Sequence, residues 1–177
     1  MPWKEVPAFY HSLKGGGLAS QALQFLILTL ARTSEIRKAE WKEIDGNIWT
    51  IPSEKMKTGK EHRVPLTDEA IALLERIKPH SKNGLLFPSQ RGKPMSDAAM
   101  SAFMKRRNMP YRPHGFRSSF RDWVAEATDT PREVAEMCLA HTVGSKVELS
   151  YRRTDYLEKR KALMEKWNEH IIKHYSE

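Results

Sequence analysis

Residues 18–36 read LASQALQFLILTLARTSEI, the most apolar stretch of the chain. Leu18, Ala22, Phe25 and Leu26 recur at the spacing of an α-helix, and apolar side chains cover nearly all of its sides. Such a helix must be surrounded by other elements, because no side of it is suited to water. We therefore predict that a helix from Leu18 lies at the centre of the core and that the fold is assembled around it.

The end of this stretch places an arginine at a helix junction. Thr33 or Ser34 can cap a second helix that runs through Trp41. Arg32 then lies beside the start of that helix, with Glu35 close enough to hold it. An arginine fixed beside a helix N-terminus favours phosphate binding, because the backbone N–H groups and the guanidinium both attract an anion. The alternative is a surface ion pair with no further role.

A small antiparallel sheet is predicted to follow. Residues 45–47, Asp-Gly-Asn, are a turn signal, residues 48–51 are rich in strand-forming side chains, and residues 62–66 look like the antiparallel partner. Residues 55–60 then form the tip of a basic hairpin. From that tip Lys57 can reach a DNA backbone and transfer a proton, although a lysine-rich loop is often only a solvated one.

The second half of the chain carries the other candidate catalytic residues. A helix over residues 113–127 begins with His114, and Arg117 shares its face because residues three apart on a helix are neighbours. The next helix delivers His141 at its C-terminal end, and Tyr151 follows ten positions later. Two histidines, an arginine and a tyrosine can together stabilise a phosphorane and attack a phosphodiester. Each of them alone is more simply a surface or capping residue.

The remaining segments are predicted to complete one mainly helical domain. Residues 1–17 are expected to be an irregular segment and loop, and helices are expected over residues 67–78, 96–104, 145–150 and 156–175. Ser96 and Asp97 are expected to cap the second of these helices. The last of these has an apolar stripe that is most simply core, although a partner subunit could use it. It also places His170 and His174 four residues apart, as in a metal site, but no third ligand is apparent, so no metal is predicted.

Composition narrows the classes of protein to consider. Thirty Lys plus Arg against 22 Asp plus Glu give a net charge of +8 and a pI near 9.6, which favours a polyanionic partner, above all nucleic acid. The single cysteine, Cys138, excludes an internal disulfide and is expected on a buried helix face. No apolar run is long enough to span a bilayer. We therefore expect a cytoplasmic protein that makes no contact with a membrane.

Together these motifs resemble the catalytic domain of tyrosine recombinases, the phage-integrase family, and are most like those of prophage and genomic-island integrases. The resemblance covers nearly the whole chain. It implies an α+β fold, mainly α-helical with a small antiparallel β-sheet. Six family positions are filled in order, by Arg32, Lys57, His114, Arg117, His141 and Tyr151. One departure is Ser34, where the family often has glycine, and serine also suits a helix start.

The resemblance implies a covalent mechanism of DNA strand exchange. Tyr151 attacks a phosphodiester, forms a 3′-phosphotyrosyl link and frees a 5′-hydroxyl that later attacks the partner strand's link. Arg32, Arg117 and His141 would stabilise the charge on the non-bridging oxygens. Tyr156 is the rival nucleophile, but Tyr151 keeps the family's distance from His141.

The other implied roles concern protons and orientation. Lys57 would protonate the leaving 5′-oxygen, and His114 or the cationic pocket itself would favour the phenolate. Glu35 would orient an arginine from behind. No cofactor and no metal ion are expected, because the covalent link conserves the bond energy.

The implied partners are double-stranded DNA at attachment sites and further integrase protomers in a tetramer. The isolated chain is expected to be monomeric. The N-terminal core-binding and arm-binding domains of these integrases are expected to be absent from residues 1–177. Two alternative functions remain, namely a topoisomerase-like nicking and resealing enzyme and a catalytically inactive DNA-binding module.

Overall fold

The computed structural model describes residues 1–144 and 154–173, without the side chain of the last residue. Helices dominate these ranges. They are α1 (Val6–Ser12), α2 (Leu18–Thr29), α3 (Thr33–Arg37), α4 (Asp68–Ile77), α5 (Ala99–Arg106), α6 (Gly115–Ala127), α7 (Arg132–Cys138) and α8 (Leu157–Lys173). The strands are β1 (Ile44–Asp45), β2 (Ile48–Ile51) and β3 (His62–Pro65). The predicted fold class, mainly α with a small antiparallel sheet, is confirmed.

Helix α2 is the centre of the core, as its apolar surface predicts. Every residue from Ala22 to Thr29 is buried. Helix α8 packs across it, and the Trp167 indole donates a hydrogen bond to the carbonyl of Ile27 at 2.9 Å. Phe25 contacts Trp49 of the sheet, with ring centroids 5.3 Å apart. The central helix therefore connects the C-terminal helix to the sheet.

The end of α2 is a tight reversal that prepares the candidate site. Leu30 is fully buried and has a positive φ of 59°, a conformation that costs energy for a residue with a Cβ. Its N–H bonds to the carbonyl of Leu26 at 2.7 Å. This turn leaves the Leu30 carbonyl free to accept another donor and places Arg32 at the start of α3.

The three strands form one antiparallel sheet in the order β1-β2-β3. Ile48 pairs with Pro65 and Ile51 with His62, so the predicted hairpin of residues 48–51 and 62–66 is confirmed. Trp49 and Val64 face the core and are buried. The register leaves residues 52–61 as the connection between β2 and β3, which contains Lys57.

Two local predictions are wrong. Residues 6–12 are helical rather than part of a loop, because Pro7 occupies the first turn, where a missing N–H costs nothing. Helix α3 ends at Arg37 instead of running to Trp41. Its N-cap position belongs to Arg32 rather than Thr33 or Ser34, and the Glu35 carboxylate accepts the Arg32 backbone N–H at 2.7 Å.

The start of α5 also differs from the prediction. The helix begins at Ala99 rather than at residue 96, and no side chain caps it. The Asp97 carboxylate forms an ion pair with Arg37 instead. An interaction between distant parts of the chain has therefore taken the residue that was expected to cap the helix.

Helix α8 confirms the core interpretation of its apolar stripe. Met164, Trp167 and Ile171 are buried within this chain, so that stripe is not free to serve as the surface for a partner subunit. Cys138 is also buried, as predicted, and burial raises the pKa of its thiol to about 12. None of the described helices is both long and apolar enough to cross a membrane. The helix predicted over residues 145–150 lies outside the described residues.

Candidate active site

Arg117 lies at the centre of the candidate site, where three helices meet. Its side chain projects from α6 and is 4% exposed. It donates to the carbonyl of Leu30 after α2 and to the carbonyl of Leu139 after α7, the second at 2.5 Å. Two helix ends are thus joined through one guanidinium. Arg117 Nε, by contrast, is buried with no hydrogen-bond partner in the described structure.

His141 lies directly against this guanidinium. Its Nε2 is 3.0 Å from Arg117 Nη2, and its Nδ1 is 2.5 Å from Glu136 Oε2. The imidazole is 37% exposed, so one side of the ring meets solvent while both nitrogens meet protein. The sequence predicts His141 at the C-terminal end of α7. In the structure α7 ends at Cys138, and His141 follows three residues later.

Arg32 adds a second guanidinium to the same place. It forms an ion pair with Glu35, with Nη1 and Oε1 2.9 Å apart, and remains 17% exposed. Burial is the largest cause that lowers the pKa of Arg117 to about 10, and the positive charge of Arg32 is the next. Arg117 stays charged at neutral pH, and the closeness of two cations makes a strong field for an anion.

His114 precedes α6 and has an exposed side chain. Its pKa is lowered, first by the partial loss of water around the ring and then by nearby positive charges. Those charges belong to Arg117, Arg32, His141 and Lys57. Four other predicted catalytic side chains therefore act electrostatically on His114, although they come from distant parts of the sequence.

Lys57 is exposed in the connection between β2 and β3. Its neighbour Lys55 behaves differently, because its ammonium bonds to the carbonyl of Lys38 at 2.8 Å, to Glu40 at 2.5 Å and to Glu43. The sequence interpretation treated residues 55–60 as one basic tip. In the structure Lys55 is anchored by these contacts, whereas Lys57, two residues further along, is exposed.

A cavity of about 610 Å³ opens beside His141. Its lining combines the β2–β3 connection with both chain segments that border residues 145–153. The lining residues are Met56, Thr58, Lys60, Glu61, His62, Arg63, Met137, Ala140, His141, Thr142, Thr154, Asp155 and Arg160. Tyr151 lies outside the described residues, and the described chain on each side of it reaches this cavity.

Sequence reasoning missed four contributors to this cavity. Arg160 is buried and donates to the carbonyl of Arg63 at 2.6 Å and to Asp155 Oδ2 at 2.8 Å. Arg63 also binds Asp155 through two nitrogens. Burial, followed by the charge of Arg160, lowers the pKa of His62 to about 3, so that ring stays neutral. No motif marks these residues, because Arg63 lies 92 positions from Asp155 and 97 positions from Arg160 in the sequence.

The arrangement is suited to binding an anionic group and stabilising charge on it. Arginine donors in a partly buried setting favour phosphate oxygens, and the histidine beside them can donate or accept a proton. Among residues 1–144 and 154–173, no cluster of three His, Cys, Asp or Glu side chains could hold a metal ion.

Comparisons with known proteins agree with this geometry. The model of the Phage integrase family matches residues 3–158. The chain is 34% identical to the prophage integrase IntA of Escherichia coli, over 92% of this chain and 42% of that protein. It is 32% identical to the integrase of Shigella phage Sf6, over 94% of this chain and 46% of that protein. The chain therefore spans less than half the length of these relatives.

Solved structures share the fold. The lambda integrase catalytic core superposes with a TM-score of 0.62 at 20% identity, covering 82% of this chain and 93% of that one. A lambda integrase tetramer bound to a Holliday junction superposes with a TM-score of 0.61 at 18% identity, covering 85% of this chain and 48% of that one.

Proposed function

Because the chain belongs to the phage integrase family, we propose that it is the catalytic domain of a site-specific tyrosine recombinase. It would cut and rejoin double-stranded DNA for the integration or excision of a mobile element. The observation that carries this proposal is the position of the buried Arg117, whose guanidinium contacts His141 at 3.0 Å and lies close enough to Arg32 and His114 to interact with both charges. Surface pairs and caps with no common role have no reason to converge in this way.

The two arginines would bind the scissile phosphate. Arg117 is fixed by two backbone carbonyls, so its remaining N–H groups have little freedom to turn away from a ligand. Arg32 is held instead by an ion pair with the Glu35 carboxylate. Donors that are already oriented stabilise the charge of the transition state without reorganising, and this is commonly the largest contribution to catalysis.

Tyr151 would be the nucleophile and would carry the 3′-phosphate as a covalent ester. The phenol loses its proton as the bond to phosphorus forms, and the 5′-oxygen gains one as its bond to phosphorus breaks. His114 is suited to receive the first proton, because partial burial and then the surrounding cations lower its pKa and favour the neutral ring. Lys57 is suited to deliver the second from the exposed hairpin.

The partners proposed are DNA attachment sites and further copies of the integrase. The lambda integrase structure that shares the fold is a tetramer on a Holliday junction, which supports an assembly of this kind. The proposal includes a cytoplasmic location, where the DNA of a prophage lies. It also includes catalysis without a metal ion.

The experiment that tests this function traps the covalent intermediate. The chain is incubated in EDTA with duplexes whose sequence is copied from the DNA that flanks its gene. Each duplex carries a nick, so that the cut fragment diffuses away and cannot be rejoined. A denaturing gel should show a protein–DNA adduct that protease removes. If no duplex yields an adduct, or if cleavage requires a divalent cation, the proposed chemistry is wrong.

Lys57 should act on the leaving group. The Lys57→Ala variant is expected to cleave ordinary DNA at least about a hundredfold more slowly, because general acid catalysis typically contributes that much. A substrate with sulfur at the 5′ bridging position should restore its rate, since a thiolate leaves without a proton.

Lys60→Ala is the matched control, because it removes an exposed lysine from the same connection. Any loss in this variant should reflect weaker DNA binding and should be equal for the two substrates. If sulfur fails to rescue Lys57→Ala, Lys57 serves only to position the DNA backbone.

A further inference from the structure

We propose that Glu136 is a positioning residue for the strand-transfer reaction. Its carboxylate holds the His141 ring in one orientation and one tautomer, with the proton on Nδ1 and the Nε2 lone pair directed at Arg117. The catalytic consequence of this inference rests on the proposed function, whereas the tautomer itself does not.

His141 contacts Glu136 through both its backbone and its ring. The His141 backbone N–H donates to the carbonyl of Glu136 at 2.9 Å, and the ring Nδ1 lies 2.5 Å from the carboxylate of the same residue. Ala140, which lies between the end of α7 and His141, has a positive φ of 50°. Neither the backbone nor the ring of His141 is therefore free to rotate independently of Glu136.

The tautomer follows from the chemistry of the two neighbours. A guanidinium has only donors, so the Arg117 N–H that points at His141 Nε2 requires a lone pair there. The ring proton must then be on Nδ1, where the Glu136 carboxylate accepts it. The opposite tautomer would direct an N–H at another N–H and a lone pair at a carboxylate. Both contacts would be repulsive.

The carboxylate itself is kept charged although it is only 7% exposed. Arg121 of α6 lies 2.9 Å from Glu136 Oε1, and Arg132 lies 3.7 Å from the same oxygen. Burial tends to raise the pKa of Glu136. The hydrogen bond from His141 and the two arginine charges outweigh burial, so the pKa of Glu136 is below its ordinary value.

These contacts form a line from Arg121 through Glu136 and His141 to Arg117. Arg117 is one of the two arginines proposed to bind the phosphate, so a misoriented His141 ring would displace its guanidinium or leave it without one hydrogen-bond partner. We expect loss of the Glu136 acceptor to slow adduct formation by about tenfold to a hundredfold, less than the loss of a phosphate donor itself. DNA affinity should change little, because Glu136 faces the protein.

The test compares two substitutions of one residue. Glu136→Gln keeps an oxygen that can accept from Nδ1–H, whereas Glu136→Met keeps the size of the side chain and has no such acceptor. Glu165→Gln and Glu165→Met are the controls, since Glu165 is an exposed carboxylate on α8. Thermal unfolding and circular dichroism verify that each variant is folded.

The decisive readout is the nitrogen chemical shift of the His141 ring at neutral pH. The chain has seven histidines, and the His141→Gln variant identifies the signals of this one. The parent chain and Glu136→Gln should show a protonated Nδ1 and an unprotonated Nε2. Glu136→Met should show a mixture of tautomers, together with the slower adduct formation.

Several outcomes would overturn the inference. A parent chain with the His141 proton on Nε2 would contradict it, and so would a Glu136→Met variant with unchanged ring signals and an unchanged rate. If Glu136→Met does not fold, the parent and Glu136→Gln spectra still decide the tautomer. A chain with the expected tautomer that forms no adduct would contradict the proposed function instead.

Discussion

The Tyr151→Phe variant is expected to bind DNA as the parent chain does and to form no covalent adduct with a nicked duplex. Phenylalanine has nearly the same size and shape as tyrosine but no oxygen to attack phosphorus. The effect should be complete loss rather than slowing, because the cationic groups that remain cannot form the ester. A denaturing gel measures the adduct, and fluorescence anisotropy with a labelled duplex measures the affinity.

Tyr156→Phe is the matched control, since Tyr156 is the other tyrosine close to this part of the chain. It lies just before α8, and its backbone has a positive φ of 52°. Its hydroxyl has no proposed role, so this variant should keep the adduct. Persistent adduct in Tyr151→Phe, with loss in Tyr156→Phe, would move the nucleophile five residues along the chain.

Arg117→Met is expected to produce the second largest effect, on both rate and stability. Removing one preorganised donor to a charged transition state typically slows a reaction about a hundredfold or more. The same change leaves the carbonyls of Leu30 and Leu139 without the donor they share. Burying a polar group without a partner costs roughly 1–3 kcal/mol, so the free energy of unfolding should fall by about 2 kcal/mol or more.

Arg32→Gln separates these two effects. Arg32 is proposed to touch the same phosphate, but its side chain pairs with the Glu35 carboxylate, to which the glutamine amide can still donate a hydrogen bond. Its rate of adduct formation should therefore fall about as far while the unfolding midpoint moves less. Single-turnover kinetics and urea titration provide the two measurements. Equal stability losses in both variants, or an undiminished rate in either, would argue against the proposed division of roles.

Much of the architecture follows from short-range patterns. An apolar surface on all sides of residues 18–29 leaves only a central position for that helix, and two strand-like runs around a basic turn specify a hairpin. The candidate residues were also identified from the sequence, because their order along the chain resembles the order of catalytic positions in one family. Patterns of this kind depend on neighbours within a few positions, and a single sequence records them well.

The partnerships within the site could not be found in this way. Arg117 bonds to a carbonyl 87 positions earlier in the chain, and Arg160 bonds to one 97 positions earlier. Backbone carbonyls have no side-chain signal, so neither contact is visible before the chain folds. Glu136 left only a weak signal in the sequence, since it is a charged residue between the apolar Ala135 and Met137 on a helix with one buried face.

The predictions of the helix ends were wrong for a related reason. Asp97 was expected to cap α5 and pairs with Arg37 instead, whereas Glu35 supplies the acceptor expected from a hydroxyl. Capping residues are polar and short, and the same side chains are equally suited to ion pairs with distant partners. Local preference predicts which residues compete for these positions, and tertiary contacts decide which one occupies them.

Mapping the covalent adduct tests the central claim most directly. The chain is trapped on a nicked duplex in EDTA and digested with protease and nuclease, and the peptide that carries the nucleotide is sequenced by mass spectrometry. We expect one modified peptide, with the 3′-phosphate esterified to Tyr151. A nucleotide attached to any other residue, or DNA cleaved without an attached peptide, would contradict it.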